Sequence, residues 1–222
     1  MPSRDLIERV RKALGDRYTV ITAVGRGGNA CIFGAYDQAG QKVAIKVLHP
    51  ELAVSVAADR FLREIRYASQ LDHPHIARLL DSGETDYLLW FAMPYLAGET
   101  LRQVLRREAR LAVDRATHAA CEILDALGHA HQHGIAHRDI KPDNIVLFES
   151  LAGRPPFSSV SAAAVLDMHQ HEKPPDIRSL RRDIPKPVSL VLARALAKGR
   201  EERWQTAAEM REALLPFTQP VV

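Results

Sequence analysis

At 222 residues, 46% hydrophobic and 26% charged, the chain is long enough to bury a real core, as one domain or two small lobes sharing a cleft. A formal net charge of +3 is too small to argue for nucleic acid, and no run of about 18 apolar residues could span a bilayer. Cys31 and Cys121 lack metal-ligand spacing and fit reduced thiols, and the charged stretch 1–11 has no signal-peptide pattern, so the expectation is a cytoplasmic protein.

Leu6, Ile7, Val10 and Leu14 recur at helical spacing, which predicts a helix over 3–14 ended by Gly15. The period then shortens. Residues 18–24, 31–36 and 42–48 are β-prone runs separated by Gly-rich and Asp-Gln-Ala-Gly turns. A second helix is predicted over 59–71, with Phe61, Leu62, Ile65 and Ala68 on one face and Asp59 as its cap. Residues 77–82 and 87–93 read as two more strands. After Pro94 the pattern turns helical: 100–107, a long helix over 113–133, a loop, then segments near 159–171, 187–198 and 206–215.

Strands with one helix, followed by a run of helices, predict an α+β fold in two lobes. The expected division of the 1–222 domain is an N-lobe over 17–94, a hinge over 95–98 and a C-lobe over 99–222. The basic runs at 102–110 and 178–182 read as solvated faces, and Trp90 and Trp204 as core or interlobe packing. His129, His131 and His133 with His137 invite a metal reading, but i, i+2 spacing on a helix does not converge on one face.

The first chemical signal is Gly25-Arg-Gly27-Gly28-Asn-Ala30-Cys-Ile32, between two predicted strands. Glycines there let backbone N–H groups approach phosphate oxygens, although a plain hairpin turn reads the same way. A dinucleotide-binding turn should open into a helix, and this one does not. The second signal is Lys46 in Val43-Ala44-Ile45-Lys46. An ammonium among apolar neighbours is costly unless paired, and Glu64 on the next helix is a natural partner. A surface lysine at a strand end is the plainer reading of Lys46 taken alone.

The third signal is His137-Arg138-Asp139-Ile140-Lys141-Pro142-Asp143-Asn144. With it the chain resembles the protein kinases, specifically the bacterial serine/threonine kinases of eukaryotic type. Glycine loop, V-A-I-K, helix Glu and H-R-D-x-K-x-x-N stand in family order over about 120 residues. The likeness continues through LAGRPPF at 151–157 and ERWQTAAEM at 202–210.

The resemblance implies ATP and Mg²⁺ as cofactors and a protein Ser or Thr as phosphate acceptor. Gly25, Gly27 and Gly28 would cover the ATP phosphates, and Lys46, paired with Glu64, would hold the α- and β-phosphates. Asp139 would accept the hydroxyl proton, Lys141 would neutralise the transferring phosphoryl group, and Asn144 would bind Mg²⁺. Ala44 and Val146 would sandwich adenine, with Val24 and Ile32 adding to the upper side. Backbone groups of Pro94 and Leu96 would bond the adenine edge, with Met93 guarding the back of the pocket. His137 is expected to pack beneath the catalytic loop.

The family pattern then expects D-F-G, an activation segment ending in A-P-E, and a buried helix before LAGRPPF. D-F-G, A-P-E and most of that helix are absent: Asn144-Ile-Val-Leu-Phe148 runs straight into Glu149-Ser-Leu-Ala-Gly-Arg, which resembles the end of that helix. The seam lies near 147–150, and the missing piece is on the order of 70 residues. The run after Asn144 is expected to be a strand, whose rise of ~3.3 Å per residue puts Glu149 roughly 16 Å away, too far to replace the Mg²⁺-binding Asp. Asp143 would point elsewhere. Arg203, whose family partner is the A-P-E Glu, is expected to be unpaired or exposed.

A working Ser/Thr kinase, a nucleotide-binding pseudokinase or regulatory module, and a deletion remnant all fit this pattern. Without the D-F-G Asp the expected phosphoryl transfer is negligible. Loss of the central helix is expected to leave apolar faces open.

Overall fold

The computed structural model describes residues 4–52, 55–135 and 143–218. The chain divides into two compact units, residues 1–98 and 99–222.

The first unit is built on an antiparallel sheet. Its strands are β1 (Tyr18–Arg26), β2 (Ala30–Asp37), β3 (Lys42–Leu48), β4 (Asp81–Thr85) and β5 (Leu88–Pro94), in spatial order β1-β2-β3-β5-β4. Strand alternation sends Phe33, Ile45, Val47 and Trp90 to one face, where all are at most 1% exposed. Helix α1 (Arg4–Leu14) covers that face with Leu6, Val10 and Leu14. Helix α2 (Val56–Ala68) lies on the other face, where Ala58 and Phe61 meet Leu48, Leu89 and Phe91. Trp90 therefore belongs to the core of this unit, with Tyr18 edge-on at 5.8 Å.

Several expectations shift here. The cap of α2 is Ser55, whose hydroxyl accepts from the Ala57 amide at 3.2 Å; Asp59 sits in the first turn, and Leu62 turns outward at 45% exposure. Of the predicted strand at 77–82, only Asp81 and Ser82 are in β4, which runs on to Thr85. The Asp81 carboxylate takes bonds from Tyr18 Oη (3.1 Å) and Arg17 Nη1 (3.0 Å). Burial, then the Asp81 charge, push the Tyr18 hydroxyl up to about 12.

The second unit comprises α3 (Leu101–Glu108), α4 (Val113–Gln132), α5 (Asp143–Ala152), α6 (Ala162–His171), α7 (Ile177–Leu180), α8 (Lys186–Ala195) and α9 (Ala207–Leu214). A reciprocal capping box, Thr100 with Gln103, starts α3. The long α4 packs through Ala116, Ala120 and Leu124 against α5 and α9. Trp204 packs on this core and donates Nε1–H to Val191 O at 3.2 Å.

The run after Asn144 is helix, not strand. Leu147, Phe148, Ser150 and Leu151 of α5 are all at most 3% exposed. A β-prone Ile-Val-Leu-Phe run needs a partner to complete its backbone hydrogen bonds; a helix completes them internally and still buries Leu147, Phe148 and Leu151. Glu149 is thus only about 7.5 Å along the axis from Asn144, not 16 Å. Gly153 ends α5 with φ +76°, where an added Cβ would stand 2.7 Å from Ala109 O.

Arg181 corrects the reading of 178–182 as a solvated face. Its side chain is 10% exposed, its Nη1 donates to Leu111 O and Leu151 O, and its other nitrogens hold Asp183. Arg203 is not orphaned either: Nε donates to Ala197 O at 2.7 Å and Nη2 to Lys198 O at 3.2 Å. Val160, Leu166 and Leu190 are exposed at 108%, 61% and 59%.

Candidate functional site

The glycine-rich turn joins β1 to β2 and is closed by the Gly27 amide donating to Ala30 O at 2.8 Å. None of Gly25, Gly27 and Gly28 has the positive φ that favours glycine. A Cβ added at Gly25 would meet Ile32 at 3.8 Å, one at Gly27 would meet Ala30 O at 3.6 Å, and one at Gly28 would meet nothing within 4 Å. The internal packing of the protein therefore does not require glycine at these positions. What their bareness does provide is room for another molecule to reach the backbone amides.

Lys46 stands on β3 between Ile32 of β2 and Phe91 of β5. Its side chain is 25% exposed, with Nζ lying 5.3 Å from the Phe91 ring centroid. Nζ donates to Glu64 Oε1 at 2.6 Å, as the sequence led us to expect. The Ser55 cap and the Phe61–Phe91 ring contact (5.3 Å) hold α2 so that Glu64 reaches the strand. One carboxylate oxygen is engaged, and Glu64 is half exposed, so Lys46 is oriented rather than sealed away.

Ala44 is paired with Gly34 and Met93 and is 7% exposed. Ile32 and Met93 are partly buried beside it, while Val24 is 46% exposed over Gly34. Pro94 ends β5 opposite Val43, and Leu96 just beyond is 73% exposed. Between them, the Tyr95 amide donates to Lys42 O at 3.2 Å. Val24, Ile32, Ala44 and Met93 thus form an apolar strip alongside a lysine and a bare glycine turn. These are the residues of this unit that could hold a flat heteroaromatic ring and the phosphates attached to it.

The two proposed catalytic residues, Asp139 and Lys141, and His137 lie outside the described residues. Asn144 and Val146 are described only as backbone of α5. His129 near the end of α4 and His133 just past it have rings 4.4 Å apart, and His133 Nδ1 is 2.9 Å from His129 O. Among the described residues, no group of three His, Cys, Asp or Glu could hold a metal ion, and no helix is long and apolar enough to cross a membrane.

Two features near the strip escaped the sequence reading. Cys31 is fully buried, its sulfur 3.9 Å from both ring nitrogens of the buried His49, and burial pushes its thiol pKa up. β1 also carries two register shifts, between Val20 and Thr22 and between Ala23 and Gly25. Tyr18, Val20, Thr22 and Val24 alternate too regularly for the sequence to signal either.

A five-stranded sheet with one helix behind a strand lysine, joined to a helical unit, is the architecture of a protein kinase, and the chain belongs to the protein kinase domain family, whose model matches residues 18–151. Its relatives are bacterial serine/threonine kinases. It is 30% identical to the probable serine/threonine-protein kinase PknB of Lactococcus lactis, over 91% of this chain and 42% of that protein. It is likewise 30% identical to the serine/threonine-protein kinase PknB of Mycobacterium tuberculosis, over 91% of this chain and 43% of that one. The crystal structure of the M. tuberculosis PknI kinase domain superposes with a TM-score of 0.73 at 25% identity, covering 90% of this chain and 96% of that one.

The chain therefore spans about two fifths of the curated relatives it matches. The alignment to the Lactococcus kinase runs over 263 positions, whereas 91% of 222 residues is about 202, so about 60 positions of that kinase have no counterpart here. The deficit is of the same order as the roughly 70 residues expected from the absence of D-F-G and A-P-E in the sequence.

Proposed function

We propose that this chain is a serine/threonine-kinase domain that binds ATP with Mg²⁺ and transfers phosphate only at a trace rate. The observation that carries the reading is the Lys46–Glu64 pair at 2.6 Å, formed beside the bare glycine turn and the apolar strip. Lys46 would hold the α- and β-phosphates, the backbone of 25–28 would cover them, and Val24, Ile32, Ala44 and Met93 would face adenine. Val146 would close on its other side, with backbone groups of Pro94 and Leu96 at its edge.

Asp139 would accept the proton of a substrate Ser or Thr hydroxyl and Lys141 would offset charge on the transferring group. Bound Mg²⁺ supplies neutralisation of the phosphate charge, and Asn144 would hold it. The partner ligand, the D-F-G Asp, is missing from the sequence. Phosphoryl transfer depends almost wholly on positioning and charge neutralisation, so losing one main metal ligand costs orders of magnitude in rate. The chain then acts in the cytoplasm mainly by binding nucleotide, as a regulatory module.

The test combines two assays on the purified chain. ATP with Mg²⁺ should raise the melting temperature, and Lys46→Ala should abolish the rise; at about 100 times Kd the ligand contributes about 2.7 kcal/mol. Radiolabelled γ-phosphate transfer to myelin basic protein should barely rise above that of Asp139→Ala. Mg²⁺-dependent transfer orders of magnitude above the Asp139→Ala level would overturn the trace-rate reading. No thermal response to ATP would leave a remnant that binds nothing.

A further inference from the structure

The two bulges of β1 decide which way Val24 faces. Val20 pairs with Ala35 and Thr22 with Gly34, so Ile21 is an extra residue; Ala23 pairs with Phe33 and Gly25 with Ile32, so Val24 is a second. In an unbroken strand Val24 would share the face of Tyr18 and Val20, which is the core under α1. The first bulge shifts the alternation by one. Ala23 takes the core side, packed on that cluster, and Val24 passes to the side of Ile32 and Ala44. Its Cγ1 lies 3.3 Å from where a Cβ on Gly34 would stand.

The first bulge is held by a side chain from another element. Arg11 of α1 donates through Nε to Val20 O at 3.0 Å and through Nη2 to Ile21 O at 2.7 Å. In a regular strand consecutive carbonyls point in opposite directions, and one planar guanidinium cannot reach both. Here the bulge turns them to the same side, and the fork fits the pair. Nη1 is steadied by Glu8 Oε1 at 2.9 Å, and Val10 and Leu14, at 0% and 1% exposure, anchor the helix on either side of Arg11.

We propose that Arg11 is a positioning residue for the nucleotide base: by gripping the bulge at Ile21 it sets Val24 against adenine. The inference rests on the nucleotide reading above and assigns a part in it to α1, which that reading does not use. Loss of the grip should weaken binding of the base far more than binding of the phosphates, because Lys46 and Glu64 stand on β3 and α2, apart from the bulge.

The test is calorimetric titration of the whole chain with ATP and, separately, with inorganic tripolyphosphate. Arg11→Ala should weaken ATP about tenfold and tripolyphosphate by less than about twofold. Arg11→Lys, which keeps one donor direction, should recover about half of the loss on a logarithmic scale. Lys12→Ala removes the same charge from an exposed neighbour and should change neither ligand by more than about twofold.

Gly34→Ala crowds Val24 without touching α1 and should reproduce the ATP-selective loss, which keeps the test valid if Arg11→Ala folds poorly. If the wild type binds ATP and Arg11→Ala binds it equally well, or if Arg11→Ala and Gly34→Ala weaken both ligands alike, the inference is overturned alone. A wild type that binds neither ligand overturns the nucleotide reading and takes this inference with it.

Discussion

Lys198 closes the end of α6: its ammonium donates to Met168 O at 3.1 Å and His169 O at 2.9 Å and sits 4.7 Å from the Phe157 ring centroid. The His169 ring meets the same Phe157 edge-on at 5.0 Å. Burial first, and the Lys198 charge second, hold the His169 pKa below its ordinary 6.5. A depressed histidine contributes stability that is fully present above about 6.5 and is lost as pH falls through the folded-state pKa. The second unit should therefore melt at lower temperature as pH drops from about 8 to about 5, and His169→Gln should flatten that slope. Circular dichroism melts across the range check it; an unchanged slope in His169→Gln would show that the loss comes from other groups. At this scale the sequence was legible where a residue has one fixed partner, as with Lys46 and Glu64. It was not legible for Arg181 and Arg203, because their partners are backbone carbonyls, which no residue pattern marks.

Among the elements, α2 determines whether Glu64 meets Lys46. Its start depends on Ser55, so Ser55→Ala should cost about 1 kcal/mol in denaturant unfolding of the first unit, while Asp59→Ala should cost less than half of that. Equal costs would return the capping role to Asp59. The helix periodicities of α1, α4, α8 and α9 were readable because a face of each is filled by residues three and four apart. α5 was misread for the same physical reason that makes short apolar runs ambiguous. Ile-Val-Leu-Phe satisfies a strand or a buried helix equally, and only the neighbours α4 and α8 decide. The bulges of β1 lie beyond any alternation rule, since they depend on a side chain from α1.

For the whole molecule, the absence of D-F-G and A-P-E from the sequence is what limits the proposed activity. The kinase class and the α+β layout were plain from motif order, and so was a missing piece on the order of 70 residues; the Lactococcus alignment leaves about 60 positions unmatched. Whether the rest could fold across the gap was not plain, because it depends on packing. Inserting the corresponding segment of a bacterial relative between Phe148 and Glu149 should restore Mg²⁺-dependent phosphate transfer to a protein substrate. Changing the inserted D-F-G Asp to Ala should abolish it again, by orders of magnitude. A chimera that binds ATP yet stays silent would place the defect elsewhere in the chain.

The helical state of α5 also bears on how such a junction can arise. Each residue added to or removed from a helix rotates everything beyond it by about 100°. With the join near 147–150, a splice one residue longer or shorter would bring Glu149 round toward the place now held by Phe148 or Ser150, both at most 3% exposed. It would also shift Leu151, whose carbonyl receives Arg181, and Ser150, whose carbonyl takes the Leu111 amide at 2.7 Å. A change of one residue in length here would thus break the buried face that Leu147, Phe148 and Leu151 now form, so the phase of this turn is fixed by the core around it.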